Sequence, residues 1–301
     1  MSAIVIRKCS ITEPDTDAVV NAANEGLRAG SGVCGVIFAA AGHALLKSAC
    51  DAIGHCDTGS AVITPGFDLK AAHIIHAVGP VWEGGRQGED ALLFQTYARA
   101  LALAAENGCG SVAFPLISAG IFGYPADRAW QIAIRSCGDF LRDGGALDIV
   151  FAVLNDSMLE LGQRTLAELR SEYWQFKEGL GWKACRDILP GRFTAEYGGS
   201  GAYHLYEINE DIFAALSDGM REGDAVGRIS AGRHLYMDVN DRCGPPYTVV
   251  FDDDYRALCP WAGIVGGEHV WPKVLTDAAV ELFASERANR EYRRKKQGGA
   301  Q

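Results

Sequence analysis

Along the first 170 positions, short unbroken apolar runs alternate with longer stretches of three- and four-residue period. Ile4-Val5-Ile6 reads as a strand. Ala18-Val19-Val20, apolar throughout, reads as a second strand with both faces covered. Val33, Val36, Ile37, Ala40, Ala41, Ala44, Leu45 and Ala49 recur at helical steps and predict one helix from Val33 to Ala52. Ser60–Thr64 and His73–Val78 predict strands joined through a Pro65-Gly66 turn. Ala91 to Glu106 predicts an alanine-rich helix closed by Asn107-Gly108. Ser111–Phe114 predicts a strand, and Pro125 opens a helix to about Leu141, where its missing N–H costs nothing. Asp148–Leu154 is the last strand of the series, followed by a helix from Met158 to about Arg170. Strands alternating with helices imply an α/β unit with a mainly parallel or mixed sheet covered on both faces. Ligands of such sheets bind at the carboxyl ends of the strands.

From about Ser171 the pattern changes, and aromatic residues become dense: Tyr173, Trp174, Phe176, Trp182, Phe193, Tyr197, Tyr203 and Tyr206. Gly198-Gly199-Ser200-Gly201 marks a loop, and Tyr203–Ile208 predicts a strand. Asn209 is placed to cap a helix from Glu210 to Met220. His234–Val239 and Tyr247–Phe251 predict a strand pair around Gly244-Pro245-Pro246, and a final helix is expected from Thr276 or Asp277 to about Arg293. The expectation is two domains, an α/β unit over residues 1–171 and a smaller α+β domain over 172–301. The length of 301 residues, too great for one ordinary core, agrees. Trp174, Trp182, Trp261 and Trp271 form either a core or a partner-binding face, and Asp252-Asp253-Asp254 reads as an acidic turn.

Composition narrows the class. An apolar share of 48% and a charged share of 22% are those of a globular protein. No apolar run reaches membrane-spanning length, and the first residues carry neither a basic segment nor a secretory apolar core, so a cytoplasmic protein without membrane partners is expected. Net charge is −10. Residues 1–170 hold 12 basic and 18 acidic side chains, and residues 171–301 hold 16 and 20. Neither half has the basic character of general nucleic-acid binding. The basic run Arg290–Lys296 reads as a solvated helix end. Nine cysteines without a C-x-x-C pair are expected to be reduced and mostly buried. Cys50, His55 and Cys56 match no common zinc spacing, so no metal and no resident cofactor is expected.

Two loops carry the chemistry. The strand ending in Val19-Val20 runs into Asn21-Ala22-Ala23-Asn24 and then Gly30-Ser31-Gly32-Val33-Cys34-Gly35. The strand ending in Phe114 runs into Pro115–Pro125, with Gly120 and Gly123 inside it. Glycines let backbone approach a ligand without a Cβ clash. Helix N-termini after such loops present unpaired N–H groups to an anion. Two such cradles suit a diphosphate, and the carboxamides of Asn21 and Asn24 suit vicinal ribose hydroxyls, which also donate and accept. Asn21 reads as the more structural of the two. Phe122 and Tyr124 supply an apolar wall, with a core position for Phe122 as the other reading. His73 and His76 are taken to share one side of their strand as packed or hydrogen-bonded residues. The spacing is neither G-x-G-x-x-G nor a P-loop.

The run from Asp17 to Asn24, then Gly30–Val33, Ile75–Pro80 and Phe114–Pro125, resembles the macrodomain family in the same motif order over about residues 1–170. It is most similar to the group that removes mono-ADP-ribose from proteins and deacetylates O-acetyl-ADP-ribose. The resemblance implies a three-layer α/β/α fold with a mixed sheet and ADP-ribose, or an ADP-ribosylated protein, as partner. It implies that Asn24 holds the distal ribose, flanked by backbone at Gly32, Val33 and Cys34. It implies that Ser118, Ala119, Gly120, Ile121 and Phe122 wrap the diphosphate, with Ile11 near the α-phosphate and Leu154 and Asn155 at the adenine edge.

Two departures from the family pattern stand out. Ser10 occupies the position of an aspartate that accepts from the adenine amine, a change worth about 1–3 kcal/mol of binding. Cys34 stands where cellular hydrolases of the group often carry aspartate, although the macrodomains of alphavirus polyproteins resemble its Gly-Val-Cys run and hydrolyse ADP-ribosyl esters. Two readings of Cys34 follow: a thiol made reactive at a helix start, or a small residue lining the ribose pocket. Two functions follow as well: a hydrolase that removes mono-ADP-ribose from acidic side chains of proteins or deacetylates O-acetyl-ADP-ribose, in which Asn24 and Cys34 are the candidate catalytic residues, and a reader that binds ADP-ribose without turnover.

Overall fold

In the computed structural model, residues 2–199, 202–239 and 247–262 are described. The chain divides into two compact units, the first comprising residues 1–175 and 187–192 and the second residues 176–186 and 193 onward.

The first unit holds strands β1 (Ile4–Lys8), β2 (Ala18–Ala22), β3 (Ala61–Pro65), β4 (His73–Ala77), β5 (Ser111–Phe114) and β6 (Asp148–Val153). Their order in one sheet is β1-β6-β5-β2-β4-β3. All neighbours pair in parallel except β3, which runs antiparallel to β4, so the sheet is mixed. Its helices are α1 (Gly32–Ala40), α2 (His43–Ile53), α3 (Glu89–Glu106), α4 (Ala126–Arg142) and α5 (Asp156–Leu169).

The strand pleat divides the core in two. Ala18, Val20, Ile75, Ala77, Val112, Phe114, Ile149 and Phe151 face α3, α4 and α5 through Leu93, Tyr97, Leu101, Trp130, Ile134 and Leu169. The alternate residues Val19, Ile74, Ala113 and Ala152 face α1 and α2 through Ile37, Phe38, Leu46 and Cys50. Both sheet faces are therefore covered, which is the three-layer arrangement, and it explains why the central strands are mostly apolar on both faces, Asn21 and His76 being buried polar exceptions. Ile188 and Leu189, from the segment that returns to this unit, join the α3–α5 side.

The single helix expected over Val33–Ala52 is two helices, bent by 113°. The apolar repeat runs across the break, but Gly42 adopts φ +86° and turns the chain between them. Val36 and Leu45, which belong to the predicted buried stripe, are therefore 45% and 54% exposed. Among the described residues no single helix is long and apolar enough to cross a membrane. His73 and His76 do not share a side. They lie three residues apart, so the pleat sends them to opposite faces, and His76 is fully buried.

The second unit is built on a six-stranded meander: β7 (Trp174–Gly179), β8 (Trp182–Asp187), β9 (Arg192–Gly199), β10 (Ala202–Ile208), β11 (Arg233–Val239) and β12 (Tyr247–Val250), in that order. Helices α6 (Glu210–Ala215) and α7 (Glu222–Ile229) contribute Phe213, Ala225 and Ile229 to a core with Trp182, Phe193, Ala195, Tyr206 and Ile208. A short helix α8 (Tyr255–Leu258) adds Leu258 to a second cluster with Leu205 and Leu235. The helix expected to reach Met220 ends at Ala215, where Lys177 Nζ donates to the carbonyls of Phe213 and Leu216, at 2.8 and 2.7 Å. Asn209 caps α6 as its sequence position predicts, accepting from Ile212 N at 2.8 Å. Trp182 and Trp261 are core residues, at 4% and 1% exposure. Asp252 pairs with Arg233 and accepts from Asp254 N at 2.9 Å, so this part of the acidic run is a turn. The expected final helix, the basic run, Cys243, Trp271 and Gly244-Pro245-Pro246 lie outside the described residues.

Gly42 is the position on which the α1–α2 bend rests. A Cβ there meets Asp68 Oδ2 at 2.7 Å and forces a left-handed conformation on an L side chain. Gly42→Ala is expected to cost about 1–3 kcal/mol, read as a lower midpoint in urea unfolding. An unchanged midpoint would contradict this account of the bend.

Candidate functional site

Five parallel strands, β1, β6, β5, β2 and β4, end at one edge of the first sheet. Each of the sequence-predicted positions follows one of them or opens the helix after it. Ser10 and Ile11 follow β1, and Leu154 and Asn155 follow β6. Ser118–Phe122 follow β5. Asn24 follows β2, and Gly32, Val33 and Cys34 begin α1. The topology thus brings the predicted residues to one rim, in the spatial order 10–11, 154–155, 118–122, 24–34.

The β5–α4 loop is held from several sides. Tyr124 N donates to Ser118 O at 3.0 Å, Gly123 N to Gly120 O at 3.0 Å, and Trp82 N to Phe122 O at 2.9 Å. Tyr124 is buried rather than part of an open wall. Its hydroxyl donates to Asp90, which also accepts from Arg128 Nε at 2.9 Å. Among the described residues the N–H groups of Gly120, Ile121 and Phe122 find no acceptor. Three consecutive backbone donors are left without an acceptor there, in a segment exposed at Gly120 and Ile121. Ser118 sits at φ +66°, a conformation that strains a residue with a Cβ. Its side chain occupies space that only glycine at position 79 leaves open, since a Cβ there would lie 2.3 Å from Ser118 Oγ. Ile121 is 80% exposed and Phe122 is half-buried, so Phe122 is not a core residue.

The β2–α1 loop is also fixed. Asn24 Nδ2 donates to Arg28 O at 2.8 Å, and Arg28 N donates to Asn24 Oδ1 at 3.0 Å. A carboxamide offers two donor hydrogens and two acceptor lone pairs. Arg28 takes one of each and orients the group, leaving one of each for a ligand. Leu27 is buried at φ +54° beneath this turn. Ser31 makes no side-chain cap, so the first-turn N–H groups of α1 at Gly32, Val33 and Cys34 remain available. Gly35 permits close packing, because a Cβ there would meet Gly30 O at 2.7 Å.

Behind this loop lies a polar network that sequence reasoning did not assemble. Asn21 and His76 are both buried, and Asn21 Nδ2 donates to His76 Nδ1 at 3.1 Å. His76 Nε2 faces Thr64 Oγ1 at 3.0 Å and Cys50 Sγ at 3.8 Å. Asn21 Nδ2 also points to Cys34 Sγ at 3.7 Å, and that thiol donates to Arg28 O at 3.7 Å. Burial lowers the His76 pKa from 6.5 to about 4 and raises that of Cys50 to about 11, with the neighbouring Cys34 and Asp51 adding to the second shift. His76 is therefore neutral at pH 7. An accepting Nδ1 places its single proton on Nε2, toward Thr64.

The remaining predicted positions differ in exposure. Ile11 is 4% exposed and packs in the α1–α2 core. Ser10 Oγ pairs with Thr12 Oγ1 at 3.2 Å. Asn155 caps α5, its Oδ1 accepting from Met158 N at 2.9 Å, whereas Leu154 beside it is 72% exposed. Two residues that shape the rim, Gly79 and Arg28, carry no side-chain chemistry that sequence alone could flag. Gly79 is signalled only by its place in Val78-Gly79-Pro80 after a strand. Among the described residues no group of three or more His, Cys, Asp or Glu is arranged to hold a metal ion.

Comparison with known proteins agrees with this architecture. A family model, the Macro domain, matches residues 20–133. A Macro domain-containing protein of Chlorobaculum tepidum is 46% identical over 161 residues, which are 53% of this chain and 93% of that protein. A protein of Cronobacter turicensis named O-acetyl-ADP-ribose deacetylase is 45% identical over 163 residues, 52% of this chain and 92% of that protein. Among solved structures, an Oceanobacillus iheyensis macrodomain with ADP aligns with a TM-score of 0.53 at 34% identity, covering 56% of this chain and 91% of that one. A Trypanosoma brucei macrodomain in complex with ADP-ribose aligns with a TM-score of 0.51 at 35% identity, covering 54% and 68%.

The network behind the rim has a pH signature. The unfolded chain protonates His76 near pH 6.5, whereas the folded chain resists until about pH 4. Stability is full above pH 6.5 and falls as the pH drops through that window, by about 3 kcal/mol from this group. Urea unfolding at pH 7 and pH 4.5, repeated on His76→Gln, is expected to show a shallower loss in the variant. Equal losses in both proteins would exclude His76 as the source.

Proposed function

This chain belongs to the macrodomain family, and we propose that its first unit binds ADP-ribose along the rim and hydrolyses the ester bond that links ADP-ribose to a carboxylate. The observation that carries the binding reading is the row of unpaired N–H donors at Gly120, Ile121 and Phe122, beside the oriented carboxamide of Asn24. The donors meet the diphosphate, and the uncapped start of α1 adds its positive end. The free donor and acceptor of Asn24 meet vicinal hydroxyls of the distal ribose. Leu154 and the segment after β1 border the adenine.

Hydrolysis follows from positioning. Water adds to the anomeric carbon of the distal ribose. The bond to the acyl oxygen breaks, and the carboxylate departs with the electron pair. The proton lost by water passes to a phosphate oxygen of the ligand, which orients that water. Asn24 holds the sugar, and the loop N–H groups hold the phosphate in place. Orientation and fixed dipoles supply most of the acceleration. Cys34 is 7% exposed, and its thiol proton points to Arg28 O, an arrangement that favours a lining role over nucleophilic attack. The deacetylase name carried by the Cronobacter turicensis relative supports ester chemistry at this site.

Asn24→Ala is expected to abolish release of label from an auto-modified ADP-ribosyltransferase while leaving the protein folded. Label retained by the unsubstituted protein, with ADP-ribose binding measured by calorimetry, would identify a reader instead of a hydrolase. No heat with millimolar ADP-ribose would end the binding proposal itself. Gly79→Ala is expected to weaken ADP-ribose binding at least about tenfold, because the new methyl displaces Ser118 and the donors after it. Unaltered affinity would show that this close approach does not shape the site.

A further inference from the structure

We infer that Cys34 is a positioning residue for Asn24, acting through the carbonyl of Arg28 and set in place by the buried pair Asn21 and His76. This rests on the assignment of Asn24 to the distal ribose. The geometry is a continuous chain of polar contacts. Thr64 Oγ1 and His76 Nε2 are 3.0 Å apart, and Asn21 Nδ2 lies 3.1 Å from His76 Nδ1. Asn21 Nδ2 reaches Cys34 Sγ at 3.7 Å, and Cys34 Sγ reaches Arg28 O at 3.7 Å. Arg28 O is the acceptor that Asn24 Nδ2 uses, at 2.8 Å. One carbonyl thus receives two donors, one from the rim and one from the interior.

The polarity of the chain is fixed by its buried end. Asn21 donates to His76 Nδ1, so the amide also presents a hydrogen to sulfur. A sulfur that accepts from Asn21 directs its own proton to the remaining acceptor, Arg28 O. The thiol is therefore a protonated donor in this state. Its proton is committed to orienting the loop.

The loop needs such an anchor. Glu25, Gly26, Arg28, Ala29, Gly30 and Ser31 are all exposed, and only Leu27 is buried among them. Glu25 is tied at its far side, its carbonyl accepting from Cys56 N at 2.9 Å and its carboxylate from Thr58 Oγ1 at 2.8 Å. Arg28, whose backbone orients Asn24, has Cys34 as its link to the buried interior. Without the thiol the Arg28 carbonyl keeps one donor and gains freedom to turn toward water, and Asn24 turns with it.

The test is a double-mutant cycle on the full chain, read as ADP-ribose affinity by calorimetry, with thermal melts reporting the fold of each variant. Cys34→Ala is expected to weaken binding about tenfold, and Cys34→Ser, which keeps a donor, to stay within about threefold of the unsubstituted protein. In an Asn24→Ala background the Cys34→Ala effect is expected to shrink below about twofold, because the two act as one unit. Independent effects that multiply, or a serine variant as weak as the alanine variant, would overturn the relay. Failure of the unsubstituted protein to bind ADP-ribose would instead overturn the reading of the site.

Discussion

The parallel pairing of β2 with β5 is the constraint from which the site follows. Ala18 lies against Val112 and Val19 against Ala113, so two strands whose paired residues are 94 apart in sequence finish at the same edge. Each then turns into a loop and a helix. A strand-to-helix loop cannot pair all of its N–H groups internally. When two such loops lie side by side, their unpaired donors form one surface. An antiparallel pairing of the same strands would send the loops to opposite ends of the sheet, and neither would serve the other.

Rigidity in these loops comes from packing, and some of it is held against local strain. Ser118 at φ +66° and Leu27 at φ +54° are both non-glycine residues in a disfavoured region. One lies in each loop of the rim. Ser118 is held by the space at Gly79, and Leu27 by burial beneath the Asn24 turn. Strain of this kind persists only where the surroundings over-determine the conformation. Here it fixes the backbone of both rim loops. Unpaired neutral dipoles at the rim suit an anion even on a chain whose net charge is −10. Local donors act over a few ångströms, and the distant surface charges are screened.

The limits of sequence reading fall at particular elements. Ile4–Ile6, Ala18–Val20 and Ile149–Val153 were legible as strands because each is an unbroken apolar run, and at Ala18–Val20 both sheet faces are buried. The bend at Gly42 was not, because the apolar repeat continues through it unchanged and only the backbone angle differs. Strands β7, β8 and β9 were not assigned from the sequence, although Trp174-Gln175-Phe176-Lys177 and Arg192-Phe193-Thr194-Ala195-Glu196-Tyr197 alternate in polarity; that region was read by its density of aromatic residues instead of by its period. Asn209 was legible as a cap because capping is local, spanning three residues. Asn21 and His76 were legible as polar residues on strands but not as partners, since 55 residues separate them.

Sequence by itself determined the alternation of strands and helices in the first unit, the two glycine-rich loops and the pair of asparagines that lead into one of them. Those are properties of neighbouring residues, governed by backbone freedom, side-chain period and capping. Tertiary structure alone decided which strands are adjacent, that Arg28 uses half of the Asn24 carboxamide, that Gly79 makes room for Ser118, and that a buried histidine lies behind Cys34. Each of these depends on which distant segments meet. Burial then sets the chemistry of what meets, as it does in keeping His76 neutral.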